Sequence, residues 1–213
     1  MRDVLYDRLY ALLKTCKTIR FNEHTRIIRI TGMLDLTSSL TFLACLELLE
    51  LNDQTAPITL LLDSCSGGFW IPIKQMHANI RALRMPVFAE AKNYVRSGGL
   101  LLFAAANHRS AWRGTELYFH SSHGIKKGLP DDEMLTANYY EFLSAINHAT
   151  DQYFFKSLAD GFGLEDTTWR VLKWCEERRS WILDGKEAKE ALALGIVDII
   201  IDKKKRRKRN KRK

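Results

Sequence analysis

The amino-acid sequence predicts an α/β fold in which helices cover a mainly parallel β-sheet. From residue 26 onward, short apolar segments of strand length alternate with longer segments of helical periodicity, as in right-handed βαβ units. The segment 56–63, "APITLLLD", is almost continuously apolar, which is typical of a strand covered on both faces. The 213 residues, 46% of them hydrophobic, are enough for one substantial core.

The predicted elements follow one another without a repeated sequence. The predicted strands cover residues 26–31, 56–63, 86–91, 115–120 and 195–202. The predicted helices cover residues 3–14, 36–52, 70–83 and 131–160, followed by two shorter helices, of which the last begins at Gly185. The turn 64–69, "SCSGGF", is predicted to leave the second strand and to enter the helix that follows it.

The net positive charge of the chain comes from its carboxyl end. Of 33 Lys and Arg residues, ten lie in residues 203–213, so the remainder has 23 basic against 25 acidic residues. Such a block repels itself and lacks apolar anchors, which predicts a disordered tail. The tail could bind nucleic acid or an anionic membrane through phosphate contacts, or it could be a solvated terminus.

Cysteine and histidine usage argues against a metal site or a cofactor. The four cysteines, at positions 16, 45, 65 and 175, form no CxxC pair, and the six histidines are scattered. Cys16 and Cys45 are predicted to be buried free thiols, which favours a reducing compartment.

No apolar run reaches about 18 residues, and the N-terminus is charged throughout, so we expect a cytoplasmic protein. No P-loop pattern is present.

Three segments at predicted strand ends bear groups suited to acyl transfer. In parallel sheets, chemistry gathers where strands lead into helices. "DSCSGG" (63–68) and "RSGG" (96–99) are glycine turns, and His120 ends the strand "ELYFH". A serine hydroxyl becomes a nucleophile when a base accepts its proton, and glycine turns supply N–H donors for an oxyanion. Ser97 is therefore a candidate nucleophile, although it could simply be a helix N-cap, the commonest role of a serine at such a position.

The order of these motifs resembles the proteolytic subunit of Clp protease. "ITLLLD", "CSGG", "PVFAEA", "SGGLLLFAAANHR", "ELYFH" and "LDGKEAKEALALGIVD" follow one another as in that family. They also resemble the related signal peptide peptidase A group, which shares the crotonase-like scaffold. The resemblance covers roughly residues 26–201. It implies a ClpP-like fold of β-β-α and βαβ units with a long handle-type helix over residues 131–160.

The resemblance also implies roles for individual residues. Ser97 would be the nucleophile and His120 the general base. The oxyanion hole would use the backbone N–H of Gly98 with that of Gly67 or Gly68. In the family an aspartate completes the triad, but an ungapped alignment of "ILDGKEA" places Ser180 there. Asp184 is the nearby alternative, although it is also a good N-cap for the helix that begins at Gly185.

Side chains near the predicted site include a departure from the family pattern before Ser97 and a second histidine that could replace His120 as the base. The family favours small residues before the nucleophile, whereas this chain has Tyr94 and Arg96. Arg96 could line the site and bind a peptide carboxylate, but we expect it to point to solvent. His123, three residues after His120, is a rival base that we expect to be a loop residue.

These observations predict three segments and a reaction. Residues 1–25 form an N-terminal helix and lead-in, residues 26–202 a peptidase domain, and residues 203–213 the tail. The predicted function is a cytoplasmic serine endopeptidase, assembled as a homo-oligomeric ring, that cleaves unfolded polypeptides without a cofactor. An ATP-dependent unfoldase would be a separate partner. A non-catalytic ring subunit or binding module is the first alternative, and a crotonase-like acyl-CoA enzyme is the second.

Overall fold

The computed structural model describes residues 2–120, 152–163, 173–174, 177 and 179–202. The helices are α1 (Arg2–Thr15), α2 (Leu36–Asn52), α3 (Trp70–Ala82), α4 (Gly98–Ala104), α5 (residues 152–162) and α6 (Gly185–Ala193). The strands are β1 (Ile19–Asn22), β2 (Ile27–Leu34), β3 (Ile58–Gly68), β4 (Val87–Arg96), β5 (His108–Trp112), β6 (Glu116–Tyr118), β7 (Ser180–Ile182) and β8 (Ile199–Ile201). Most of the predicted helix over 131–160, the rival histidine at 123 and the basic tail lie outside the described residues.

The eight described strands form one mixed sheet in which parallel pairing dominates. Its main order is β1-β2-β3-β4-β5-β8, and all neighbours along it are parallel except β1 and β2. Strand β6 pairs in parallel with β4, and β7 pairs with β6 in antiparallel fashion. The predicted α/β class with a mainly parallel sheet is confirmed.

Strand β4 is shared between two neighbouring strands along one of its edges. Its first half, Phe88 to Ala91, pairs with β5, and its last three residues, Tyr94 to Arg96, pair with β6. A long strand can serve two partners in this way because each short partner uses only a few ladder positions. As a result, β6 ends beside the turn that follows β4.

The prediction that residues 64–69 leave the sheet is wrong. Strand β3 continues to Gly68 because β2 also continues, and Met33 and Leu34 pair with Gly67 and Gly68. A bulge near Ser64, whose φ is +59°, shifts the register before this extension. The turn is therefore limited to Phe69, whose N–H donates to the carbonyl of Leu34 at 3.0 Å.

Two other strands are longer than predicted, because β2 extends to Leu34 and β4 to Arg96. The remaining differences concern short strands. β1, β5 and β7 were not predicted, because three to five residues are too few to show a periodicity. The closing strand was predicted over 195–202, but only Ile199–Ile201 is extended. The buried Arg109 guanidinium donates to the carbonyls of Gly195 and Ile196, at 3.0 and 3.2 Å, which holds that segment as a turn.

The core lies between the helices and one face of the sheet. Ile28 and Ile30 of β2, and Leu60 and Leu62 of β3, are fully buried on this face. All seven residues of α4 are buried, which explains why its sequence is apolar on every side. The predicted buried free thiols are confirmed for Cys16 and Cys45.

We expect His77 to make the protein less stable in mild acid. His77 is 7% exposed on α3, and its Nδ1 lies 3.2 Å from the Tyr153 hydroxyl of α5. Burial, together with the charge of Arg81, lowers the pKa of His77 to about 4. Lys74 adds a second positive charge nearby, with its Nζ 4.9 Å from the Tyr153 ring centroid.

Because the unfolded chain binds a proton near pH 6.5 and the folded chain does not, stability is lost as the pH falls from about 6.5 to about 4. His77→Gln should reduce this loss by up to about 3 kcal/mol, measured by urea unfolding at several pH values. The exposed His24→Gln is the control. Equal pH dependence in the His77 variant and the wild type would contradict this.

Candidate active site

Ser97 sits on a strained turn between β4 and α4. Its φ of +51° and ψ of −130° belong to a region that non-glycine residues rarely adopt. Although Ser97 occupies the N-cap position of α4, its side chain makes no capping hydrogen bond. Nucleophile elbows also place a serine on a strained turn between a strand and a helix. The N-cap interpretation therefore does not account for its side chain.

Close packing around the turn holds Ser97 in this conformation. Its N–H donates to the Tyr118 carbonyl at 3.1 Å, and its own carbonyl accepts from the Leu100 N–H at 2.9 Å. A Cβ on Gly98 would lie 2.2 Å from the Ile73 side chain, and one on Gly99 would lie 2.8 Å from the Cys65 sulfur. Both glycines after Ser97 are thus required by the approach of α3 and β3, not only by the turn.

Gly67 packs directly against the Ser97 turn. Its φ is +78°, and a Cβ there would lie 2.7 Å from the Gly98 nitrogen and 2.9 Å from the Ser97 Cβ. A Cβ on Gly68 would lie 2.0 Å from the Leu34 carbonyl oxygen. The two glycine segments that the sequence singled out are therefore in contact, and only glycine fits at their junction.

Cys65 is a second nucleophilic side chain that packs against this turn. Its side chain is fully buried, and burial raises the pKa of the thiol to about 11, although the Gly67 N–H bonds to the sulfur. A thiol with this pKa is protonated at neutral pH and is a poor nucleophile. Its position against Gly99 is explained by packing.

Strand β6 places His120 at the same edge of the sheet as Ser97. In the parallel register, Arg96 is opposite Tyr118, so Ser97 and His120 both follow the carboxyl ends of neighbouring strands. Leu117 and Phe119 are buried, whereas Glu116, Tyr118 and His120 are partly exposed, so these three share the other face of the strand. The Tyr118 and His120 ring centroids are 5.4 Å apart.

The comparisons with known proteins agree with this architecture. No protein-family model matches the sequence, and no curated protein matches it. Among solved structures, a mutant of ClpP1 from Listeria monocytogenes is similar with a TM-score of 0.66. The match covers 85% of this chain and 94% of that chain at 22% sequence identity.

The chain has a ClpP-like fold. This confirms the predicted fold, while the comparisons give no support for the resemblance to the signal peptide peptidase A group. Within the described residues, no helix is long and apolar enough to span a membrane, and no three His, Cys, Asp or Glu side chains are grouped as metal ligands would be.

Ser180, which the ungapped sequence alignment places at the position of the family's aspartate, lies on β7 opposite Tyr118. Its hydroxyl donates to Oε1 of Glu116 at 2.7 Å. Asp184, the alternative, accepts from the Gly185 N–H at 2.8 Å and lies 3.2 Å from an Arg113 nitrogen. It is the N-cap of α6, as its sequence position suggested.

Glu116 is the polar residue near the site that the sequence analysis missed. Its Oε2 accepts from Arg96 Nε at 3.1 Å and from Nη2 at 2.5 Å. Burial on its own would raise the pKa of Glu116, but hydrogen bonds from Ser180 and Arg96, with the charge of Arg96, lower it below its ordinary value. The period of two from Glu116 to His120 was a signal that these side chains share a face.

We expected Arg96 to point to solvent, but its side chain also makes contacts within the protein. It is 44% exposed, but it pairs with Glu116, and its guanidinium lies 4.5 Å from the centroid of the Tyr94 ring. The bulky residues before Ser97, which depart from the family pattern, therefore pack along β4 and contact β6. They leave the turn itself to Ser97 and the glycines.

Proposed function

We propose that this ClpP-like chain is a serine endopeptidase in which Ser97 is the nucleophile and His120 the general base. Unfolded polypeptide is the proposed substrate, and a homo-oligomeric ring is the proposed assembly, consistent with the ClpP-like fold. The strained φ of Ser97 is the observation that supports this most strongly. Backbone strain of this kind costs about 1–3 kcal/mol and persists where function requires it.

The proposed reaction proceeds through an acyl-enzyme. Ser97 Oγ attacks the peptide carbonyl carbon while its proton passes to His120, and the carbonyl oxygen becomes an oxyanion. His120 then gives the proton to the leaving amine as the C–N bond breaks. Water, deprotonated by His120, releases the acid product and regenerates the Ser97 hydroxyl.

Backbone N–H groups are the proposed oxyanion donors. Gly98 is the first residue of α4, so its N–H has no acceptor within the helix. The second donor comes from Gly67, which packs against the Ser97 turn, or from its neighbour Gly68.

Labelling by a fluorophosphonate tests this proposal. The full chain is treated with the probe, digested and analysed by mass spectrometry. We expect one adduct, in the peptide that contains Ser97, together with hydrolysis of an unfolded protein substrate. Absence of any adduct, or an adduct on another residue, would overturn the assignment.

A non-catalytic ring subunit is the second candidate. Ser180 favours it, because a hydroxyl bonded to Glu116 stands where the ClpP-like family has an aspartate. This alternative would be supported if light scattering shows a ring-sized assembly and the chain neither reacts with the probe nor hydrolyses peptides.

The remaining partners are proposals that rest on the sequence. An ATP-dependent unfoldase would deliver substrate to the ring. The tail over 203–213, with its ten Lys and Arg residues, would bind nucleic acid or an anionic membrane surface. Removing the tail should abolish salt-sensitive binding to DNA or anionic vesicles and leave hydrolysis unchanged.

A further inference from the structure

We infer that Glu116 is a positioning residue for His120 and acts through the hydroxyl of Ser180. The inference rests on the proposed peptidase function. It assigns to a carboxylate on the strand of the histidine the role that an aspartate on the neighbouring strand has in the ClpP-like family. The proposed chain of hydrogen bonds runs from the His120 ring N–H to Ser180 Oγ, and from the Ser180 hydroxyl to Glu116.

The strand register places Ser180 midway between the two groups. Ser180 is opposite Tyr118 in the antiparallel pair, and Ile182 is opposite Glu116. Glu116 is therefore a diagonal neighbour of Ser180 on this face, and His120 lies two residues beyond Tyr118, where the pairing of β6 with β7 ends. Diagonal neighbours are roughly 7–8 Å apart, with their Cβ atoms somewhat closer. Ser180 already bridges this distance to Glu116, where its Oγ lies 2.7 Å from Oε1.

The direction of the observed hydrogen bond suits this role. The ionised Glu116 can only accept, so the Ser180 hydroxyl donates its single proton to it. The lone pairs of Ser180 Oγ are then available to accept from an imidazole N–H. A hydroxyl that donates to a carboxylate is also a stronger acceptor, because hydrogen bonds in a chain polarise one another.

Arg96 holds the Glu116 carboxylate in place, so that each of its two oxygens has a different hydrogen-bond partner. Arg96 binds Oε2, whereas Oε1 receives Ser180. The Glu116 side chain is 25% exposed, so this pairing keeps it ionised and oriented next to solvent. Since Arg96 offsets part of the negative charge, we expect Glu116 to contribute less than an aspartate in direct contact with His120 would.

The test measures the rate of fluorophosphonate labelling of Ser97 between pH 5 and 9 in the full chain. Glu116→Gln removes the charge and keeps the shape, and Ser180→Ala removes the relay. We expect each to lower the plateau rate roughly tenfold, against about 10⁴-fold for loss of a directly bonded aspartate. The pH midpoint of labelling should also move down, because the imidazolium of His120 loses stabilisation when negative charge near it is removed. The exposed Glu47→Gln is the matched control and should label like the wild type.

A double variant separates positioning from folding. In Glu116→Gln with Ser180→Asp, the new carboxylate would bond to His120 directly, and the amide introduced at position 116 could donate to it. We expect the labelling rate and the midpoint to recover to the wild-type values or above. A merely structural role for Glu116 would not be rescued in this way.

The outcomes also separate this inference from the proposed function. If the wild type labels at Ser97 and Glu116→Gln has the same rate and midpoint, the role of Glu116 is refuted and the peptidase assignment stands. If the single variants slow labelling but the double variant does not recover, the positioning role is likewise refuted. If neither the wild type nor the double variant labels, the peptidase assignment itself fails, and this inference with it.

Discussion

Ser97→Ala should abolish peptide hydrolysis and fluorophosphonate labelling while the fold is kept. Removing the nucleophile of a serine protease lowers turnover by about 10⁶-fold, so we expect activity at background. The same substitution at Ser110, a half-buried serine of β5, should leave both activities unchanged. Hydrolysis of the same substrate by Ser97→Ala at the wild-type rate would refute the role of Ser97.

The strain at Ser97 predicts a second, independent effect. Alanine does not relieve a φ of +51°, but glycine does. Ser97→Gly should therefore be inactive yet more stable than Ser97→Ala by about 1 kcal/mol, after the entropy of glycine in the unfolded chain is allowed for. Urea unfolding of the two variants measures this difference. A Ser97→Gly protein less stable than Ser97→Ala would contradict the strained conformation.

Gly67→Ala should impair both the site and the fold. The new methyl group would lie 2.7 Å from the Gly98 nitrogen and 2.9 Å from the Ser97 Cβ, so the turn that bears Ser97 must shift. We expect labelling of Ser97 to slow by at least ~10²-fold, because misplacing a reacting group costs about this much. We also expect a loss of about 3 kcal/mol in the free energy of unfolding from strain and overpacking.

Gly114→Ala is the matched control for this substitution. Gly114 has a φ of +82°, close to that of Gly67, but a Cβ there would meet nothing within 4 Å. It should cost only the backbone strain of about 1–2 kcal/mol and leave labelling unchanged. If both variants label equally fast, contact between Gly67 and the Ser97 turn does not govern the site.

The sequence predicted the long elements because their periodicity is set by burial. The helices α1, α2 and α3 are close to their predicted bounds, and β3 and β4 begin close to their predicted starts, although β4 continues to Arg96. It did not predict the extension of β3 to Gly68, because this depends on pairing with Met33 and Leu34, which are distant in the chain. The same holds for β5 and β7, whose existence depends on their partners rather than on their own residues.

For the candidate site, the sequence could predict residue types and strand ends but not the side-chain network. Ser97 and His120 were predicted from their positions after strands, and the structure places both at one sheet edge. The contact of Glu116 with Ser180 spans 64 residues and arises from the antiparallel β6–β7 pair. No local pattern encodes such a contact, so Glu116 emerged only from the folded chain.

A crystal structure of the fluorophosphonate-treated protein tests the central claim most directly. The account predicts phosphorus bonded to Ser97 Oγ, a phosphoryl oxygen within hydrogen-bond distance of the Gly98 N–H, and a His120 ring nitrogen about 2.6–3.2 Å from Ser97 Oγ. A structure in which the His120 ring faces away from an unmodified Ser97, with no donor directed at that hydroxyl, would contradict it.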